Sequence, residues 1–195
     1  MGDGKFEPDA TMNREQFAKI VVCSLGLTAE YRGTFLDVPE EAWYAGYVEY
    51  LTGYGVAVGY NDRTYRGDKA ITRAEFTAMA ARFFDVYGDG AEEIMEQYEG
   101  FDDVSDGYWA AEYIKDAAIH GWVEGYGDGT FRPDTYITRA EAMTMINRVL
   151  CRMPQSESDL LDSMVTWPDN KPSDWHYLAV QEATNSHDFN RQGEG

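Results

Sequence analysis

The chain has few cysteines, histidines and basic residues, and each shortage excludes something. There are 2 cysteines in 195 residues, Cys23 and Cys151, with no Cys-x-x-Cys pair between them. That rules out a disulfide framework or a zinc spacing, and both are expected to be free residues packed near helix ends. The 3 histidines, His120, His176 and His187, share no motif and read as surface residues. With no Ser-His-Asp order, nucleophile elbow or phosphate loop, the chain does not read as an enzyme. Lys and Arg total 16 against 35 Asp and Glu, a formal charge of −19. Such a field repels phosphate, so nucleic acid and anionic membranes are poor partners. No run of 18 apolar residues occurs, so no membrane insertion is expected. Met1 leads straight into "GDGKFEPD", so no signal peptide is expected in this stretch, and the expectation is either a cytosolic protein or a stretch from within a longer exported chain.

What is present is apolar, aromatic and glycine-rich. Apolar residues make up 44%, aromatics 14%, and there are 19 glycines. That is enough to bury a core and to set the chain apart from disordered acidic segments.

The chain also repeats itself. "ITRAE" occurs at 71–75 and again at 137–141, and "MNREQ" at 12–16 is a looser copy. Residues 35–84 align on 101–150 without a gap at an offset of 66. The same offset carries Asp103 to Asp169 and Trp109 to Trp175, and residues 2–27 align on 127–152. The organisation is therefore a back half (2–27), a whole unit (35–85), a connector (86–100), a whole unit (101–152), a connector (153–166) and a front half (167–191). A half-unit cannot bury its own apolar face, so the front half is expected to dock on the back half. The alternative is an array cut through a unit.

Each unit reads as helix, loop, helix. Trp109, Tyr113, Ile114 and Ala117 recur at helical spacing, as do Trp43, Tyr47, Val48 and Leu51. Gly55 and Gly121 close these helices. "GYGDGTFRPD" then turns the chain, with a short extended piece expected near Thr130–Phe131. "TRAE" is a capping box, with Thr72 or Thr138 as N-cap and Glu75 or Glu141 three residues on. Asn13 and Gln16 spell the same box differently. The fold class is all-α, with six main helices from a pseudo-threefold array of units. "DLLDSM" in the second connector is a candidate short helix.

The cap leaves its arginine unexplained. Arg14, Arg73 and Arg139 put a positive charge at the first helical position, against the helix dipole. Each needs an anion: either an internal carboxylate such as Asp68 or Asp134, or an external one held beside free helix amides. Trp43, Trp109 and Trp175 likewise read either as core or as a floor for a sugar ring. "GYGDGTFRPD" and "GDGKFEPD" space carboxylates somewhat as acidic calcium loops do, but they lack the ligand ladder and the terminal bidentate Glu. No metal or cofactor is assigned.

The compound pattern "FxDVxxxxW…GYxDGTFRPDxxITRAE" resembles the surface-layer homology module of bacterial cell-surface proteins, over about four-fifths of the chain. The resemblance implies a three-unit pseudo-trimer whose inter-unit grooves bind secondary cell-wall polysaccharide, including pyruvate-ketal forms. It implies ligand roles for Arg14, Arg73 and Arg139, for Trp43, Trp109 and Trp175, for Asp37, Asp103 and Asp169, and for Gly59 and Gly125. It also implies export to the cell surface or cell wall as part of a larger surface protein or assembly. The alternative is a protein–protein or surface-lattice module with degenerate glycan sites. The second unit departs from the pattern in "GYNDRTYRGD", which loses the Asp-Gly turn and the proline.

Overall fold

The structure is a computed structural model that describes residues 4–24, 26–27, 29–87 and 98–185. Over these residues the chain is all-α. Six helices follow in order: α1 (Arg14–Ser24), α2 (Ala45–Gly53), α3 (Arg73–Tyr87), α4 (Ala111–Ile119), α5 (Arg139–Val149) and α6 (Tyr177–Thr184). Among the described residues no helix is long and apolar enough to cross a membrane.

Local sequence sets the starts of α1, α3 and α5. The side chains of Asn13, Thr72 and Thr138 accept from the amides of Gln16, Glu75 and Glu141. Gln16, Glu75 and Glu141 accept in return from the amides of the three caps, at 3.1, 2.9 and 2.9 Å. All three spellings of the box therefore form. Each satisfies two main-chain donors, and losing such a cap costs about 1 kcal/mol. Gly55 and Gly121 take φ of +72° and +66° just beyond α2 and α4, where the left-handed conformation ends the helix.

The helices pack in pairs, α1 on α2, α3 on α4 and α5 on α6. The pairs meet at the cap segments, which bond in a ring. Met12 N–H donates to the Ile137 carbonyl at 2.9 Å, Ile137 to Ile71 at 3.1 Å, and Ile71 to Met12 at 3.0 Å. All three side chains are buried. Isolated bridges at 11↔138, 13↔70 and 72↔136 flank this ring. The extended backbone thus lies at the caps rather than at Thr130–Phe131, because pairing needs the neighbouring unit.

A second set of contacts joins each front segment to a turn. Asp37 accepts from the amides of Tyr65 and Arg66, and Asp103 from those of Phe131 and Arg132. Asp169 accepts from Phe6 and Glu7, across 163 residues of chain. Ring pairs repeat the relation: Phe35 with Tyr65, Phe101 with Phe131, and Trp167 with Phe6 at 6.2 Å. The last front half therefore touches the first back half, and burying Phe6 there stabilises the contact by about 2 kcal/mol.

Several local expectations change. The second connector forms a 3-10 turn at Glu157–Asp159 in place of a helix over "DLLDSM", since Asp159 bonds back to the Gln155 and Ser156 amides. α3 runs past residue 85 to Tyr87. Cys23 and Cys151 are free but exposed rather than packed. His176 is buried, its Nδ1 2.9 Å from Asn170 Oδ1, because the last unit places Asn170 and Gln181 in its core. His120 stacks on Trp122 at 4.8 Å, and His187 lies outside the described residues. The lost Asp-Gly turn of the second unit keeps its shape, with Arg63 at φ +62° where Gly129 has +82°.

Candidate functional site

Main-chain donors at the helix starts are already engaged. Arg14 and Glu15 amides donate to the Lys69 and Gly67 carbonyls. Those of Arg73 and Ala74 donate to Thr135 and Pro133, and those of Arg139 and Ala140 to Ala10 and Pro8. The next unit's turn takes what an isolated helix would offer to an anion. The expected free amides beside the arginines are therefore absent.

The guanidinium groups reach the same neighbouring turns. Arg14 is 5% exposed and donates Nε to the Tyr65 carbonyl and Nη2 to that of Val58. It also lies over the Tyr65 ring at 4.6 Å. Arg73 is 6% exposed, donates Nε to the Phe131 carbonyl and pairs with Glu141 at 2.8 Å. The same Glu141 oxygen accepts from the Tyr126 hydroxyl at 2.7 Å. Burial alone would raise the Glu141 carboxyl, but the Thr138 amide, Tyr126 and Arg73 together hold it below its ordinary value. Neither Asp68 nor Asp134 is the partner. Asp134 instead accepts from the Tyr108 hydroxyl.

Arg139 is more accessible, half-buried with its guanidinium 4.6 Å above the Phe6 ring. Burial lowers its pKa, opposed by the charges of Glu7 and Asp169. It lines a cavity of about 680 Å³ between α1 and the α5–α6 pair. Lys19 of α1, Trp43 before α2, Arg152 after α5 and Trp167 share that lining. Lys19 Nζ sits 5.3 Å over the Trp43 ring.

The tryptophans are surface residues. Trp43, Trp109 and Trp175 are 53, 56 and 67% exposed. Each stands just ahead of α2, α4 or α6, which begin two residues later, at Ala45, Ala111 and Tyr177. The three large rings stand in equivalent places outside the core, each against a neighbouring ring: Trp43 with Tyr44, Trp109 with Tyr108 and Trp175 with His176.

The remaining candidates have packing roles. Asp37, Asp103 and Asp169 hold turns in which Arg66, Arg132 and Glu7 have φ of +55°, +58° and +59°. A Cβ on Gly59 would overlap the Phe35 ring and stand 2.9 Å from the Thr64 carbonyl oxygen. One on Gly125 would do the same to Phe101 and Thr130. These glycines let an aromatic ring lie on the backbone. The calcium-like loop is also self-contained, since Asp128 accepts from Thr130 and Arg132. Among the described residues no three His, Cys, Asp or Glu stand together as a metal site would require.

Sequence reasoning missed Lys19, Arg152, Tyr60 and Tyr126. Lys19 and Arg152 stand out once the units are aligned, because their counterparts are Ala78 and Thr144, and Leu27 and Val86. Tyr126 repeats as Tyr60 in the "GY" of both whole units, and each ring stacks on the unit's Arg132 or Arg66.

Helix pairs α1–α2, α3–α4 and α5–α6, joined through a ring of cap segments, define an all-α repeat protein. Residues 34–77 and 100–143 match the model of the S-layer homology domain. The chain belongs to that family. It is 31% identical over 198 residues to cell surface glycoprotein 1 of Acetivibrio thermocellus, an alignment covering 96% of this chain and 8% of that one. It is 32% identical over 193 residues to the cellulosome-anchoring protein of the same organism, covering 95% and 41%. An amylopullulanase of Thermoanaerobacterium thermosulfurigenes is 33% identical over 151 residues, covering 77% and 8%. The chain thus spans less than half the length of each of these relatives.

Proposed function

We propose that the chain anchors a larger surface protein non-covalently to the bacterial cell wall, by binding acidic secondary cell-wall polysaccharide in the grooves between its units. It does no chemistry of its own. The reading rests on one observation above all, the cavity in which Arg139 and Lys19 stand beside the exposed ring of Trp43. An aromatic face takes the apolar side of a sugar ring, and a guanidinium takes a carboxylate in two-pronged fashion. The pyruvate-ketal forms carry such a carboxylate. A net charge of −19 does not forbid this, because salt screens the long-range field beyond about 8 Å. We further propose that the three units form one closed pseudo-threefold body, half joined to half, a reading supported by the bonds from the Phe6 and Glu7 amides to Asp169.

The test is sedimentation with purified cell wall, before and after extraction of its non-peptidoglycan polymer. The parent chain should bind the first and not the second. Arg139→Ala and Trp43→Ala should each lower retention on intact wall by roughly tenfold, about 1.4 kcal/mol. Equal binding to both walls would refute the glycan reading and favour a protein partner on the exposed tryptophans.

A further inference from the structure

The third helix pair is built unlike the other two. On α6, Ala179, Val180 and Ala183 stand where α2 has Tyr47, Val48 and Leu51 and α4 has Tyr113, Ile114 and Ala117. None of the three is larger than its counterparts. On α5, buried Asn147 stands where the other units bury Val22 and Ala81. Less apolar surface leaves water when this pair closes, so its closing gains the least.

The polar bonds around α6 are largely internal to its own segment. Asn170 Oδ1 accepts from His176 Nδ1 at 2.9 Å, and Asn170 Nδ2 donates to the Tyr177 carbonyl and to Gln181 Oε1. Trp167 Nε1 donates to the Thr184 hydroxyl at 2.9 Å. All these partners lie between residues 167 and 184, so the bonds travel with the segment when it moves. It is tied to the body by the Asn147 amide on the Ala179 carbonyl and by Asp169 on the Phe6 and Glu7 amides. The connector that leads to it is exposed at 155–159 and 161–163. The ring through Met12, Ile71 and Ile137 does not pass through it.

We propose that residues 167–185 form a strap that undocks in one piece from α5 and from the turn at Phe6 while the rest of the body stays folded, and that a ligand in the Arg139 cavity holds it shut. The second part rests on the reading that this cavity takes wall polysaccharide. Trp167, Ala183 and Thr184 of the strap line the cavity together with Lys19 and Ile20 of α1. Undocking removes that wall, so a ligand that touches it binds the docked state better and shifts the population towards it. Such an opening costs less than global unfolding and leaves the cooperative melting of the remainder intact.

The experiment is native-state hydrogen exchange of the whole chain, read by mass spectrometry on peptides of α4 and α6. In the parent the slowest amides of α6 should exchange roughly tenfold or more faster than those of α4. Asp103→Ala breaks a contact that the open strap leaves intact. It should speed α4 and leave α6 within about twofold of the parent, as for independent sites. Asp169→Ala breaks a contact of the strap itself, so it should speed α6. Polysaccharide extracted from purified cell wall should slow α6 by the same factor as α4, because the ligand then leaves both the open strap and the unfolded chain unbound. Equal rates for α4 and α6 in the parent, or acceleration of α6 by Asp103→Ala, overturns the strap. Slowing of α4 without α6 by the polymer overturns the lock alone. Slowing of neither overturns the polysaccharide reading and the lock together.

Discussion

Asp169 holds the amide of Phe6 at 2.9 Å and that of Glu7 at 2.7 Å, joining two segments that lie at opposite ends of the chain. Burial would raise its carboxyl, but these two amides outweigh it and keep the group below its ordinary value. Hydrogen bonds to a charged acceptor contribute about 1.5–3 kcal/mol when buried, and less where water reaches them. Asp169→Ala should therefore destabilise the chain by about 2 kcal/mol in urea unfolding. Asp103→Ala, which breaks the equivalent bonds to Phe131 and Arg132, should cost a similar amount. A loss in one and none in the other would show that the contacts are not equivalent.

Acid should weaken the fold late. Asp62 and Asp128 are drawn down from 3.8 to about 2, first by the Thr64 and Thr130 hydroxyls and then by Arg66 and Arg132. A depressed folded-state pKa gives stability that is present above the unfolded value and lost as pH falls through the folded one. Melting temperature should hold down to about pH 4 and decline towards pH 2. Asp128→Asn should flatten that decline slightly, because the pair is exposed and screened. A decline centred well above pH 4 would contradict the assignment.

Gly59 and Gly125 predict a loss of stability without chemistry. Gly59→Ala drives a methyl group into the Phe35 ring, and such overpacking costs about 1–3 kcal/mol. Adding Phe35→Leu should restore part of it. Rescue by the second substitution would assign the glycine to packing; a binding defect at full stability would assign it to the ligand.

Arg73→Lys should also destabilise. The guanidinium serves two directions at once, Nε to the Phe131 carbonyl and Nη1 to Glu141, and an ammonium has no such fork. The expected cost is about 2–3 kcal/mol by chemical unfolding, since one buried acceptor is left unmet. A variant as stable as the parent would mean that the pair adds little.

The sequence disclosed what depends on neighbours three or four residues away. Capping boxes were legible because Thr138 and Glu141 meet within one turn, and the repeats were legible because identical units keep identical spacings. The fates of the arginines were not. Arg73 finds its acceptor 58 residues away and its acid 68 away, and a pattern of residue types carries no record of which unit faces which. His176 misled for a related reason. Its burial depends on Asn170, which stands where the other units have Val38 and Val104. The tryptophans could be read as core or as exposed rings because the spacing alone did not show that each helix starts two residues beyond them, which leaves the rings exposed.

The ring through Met12, Ile71 and Ile137 has no outer edge. Each link borrows a partner from another unit, so no single helix pair carries its own closure. A chain still emerging from the ribosome must wait for residue 137 before Met12 has its acceptor, and for residue 169 before the turn at Phe6 has its carboxylate. Assembly should therefore be slow and all-or-none, as contacts of long sequence separation require. A cut at any one unit should melt all three together.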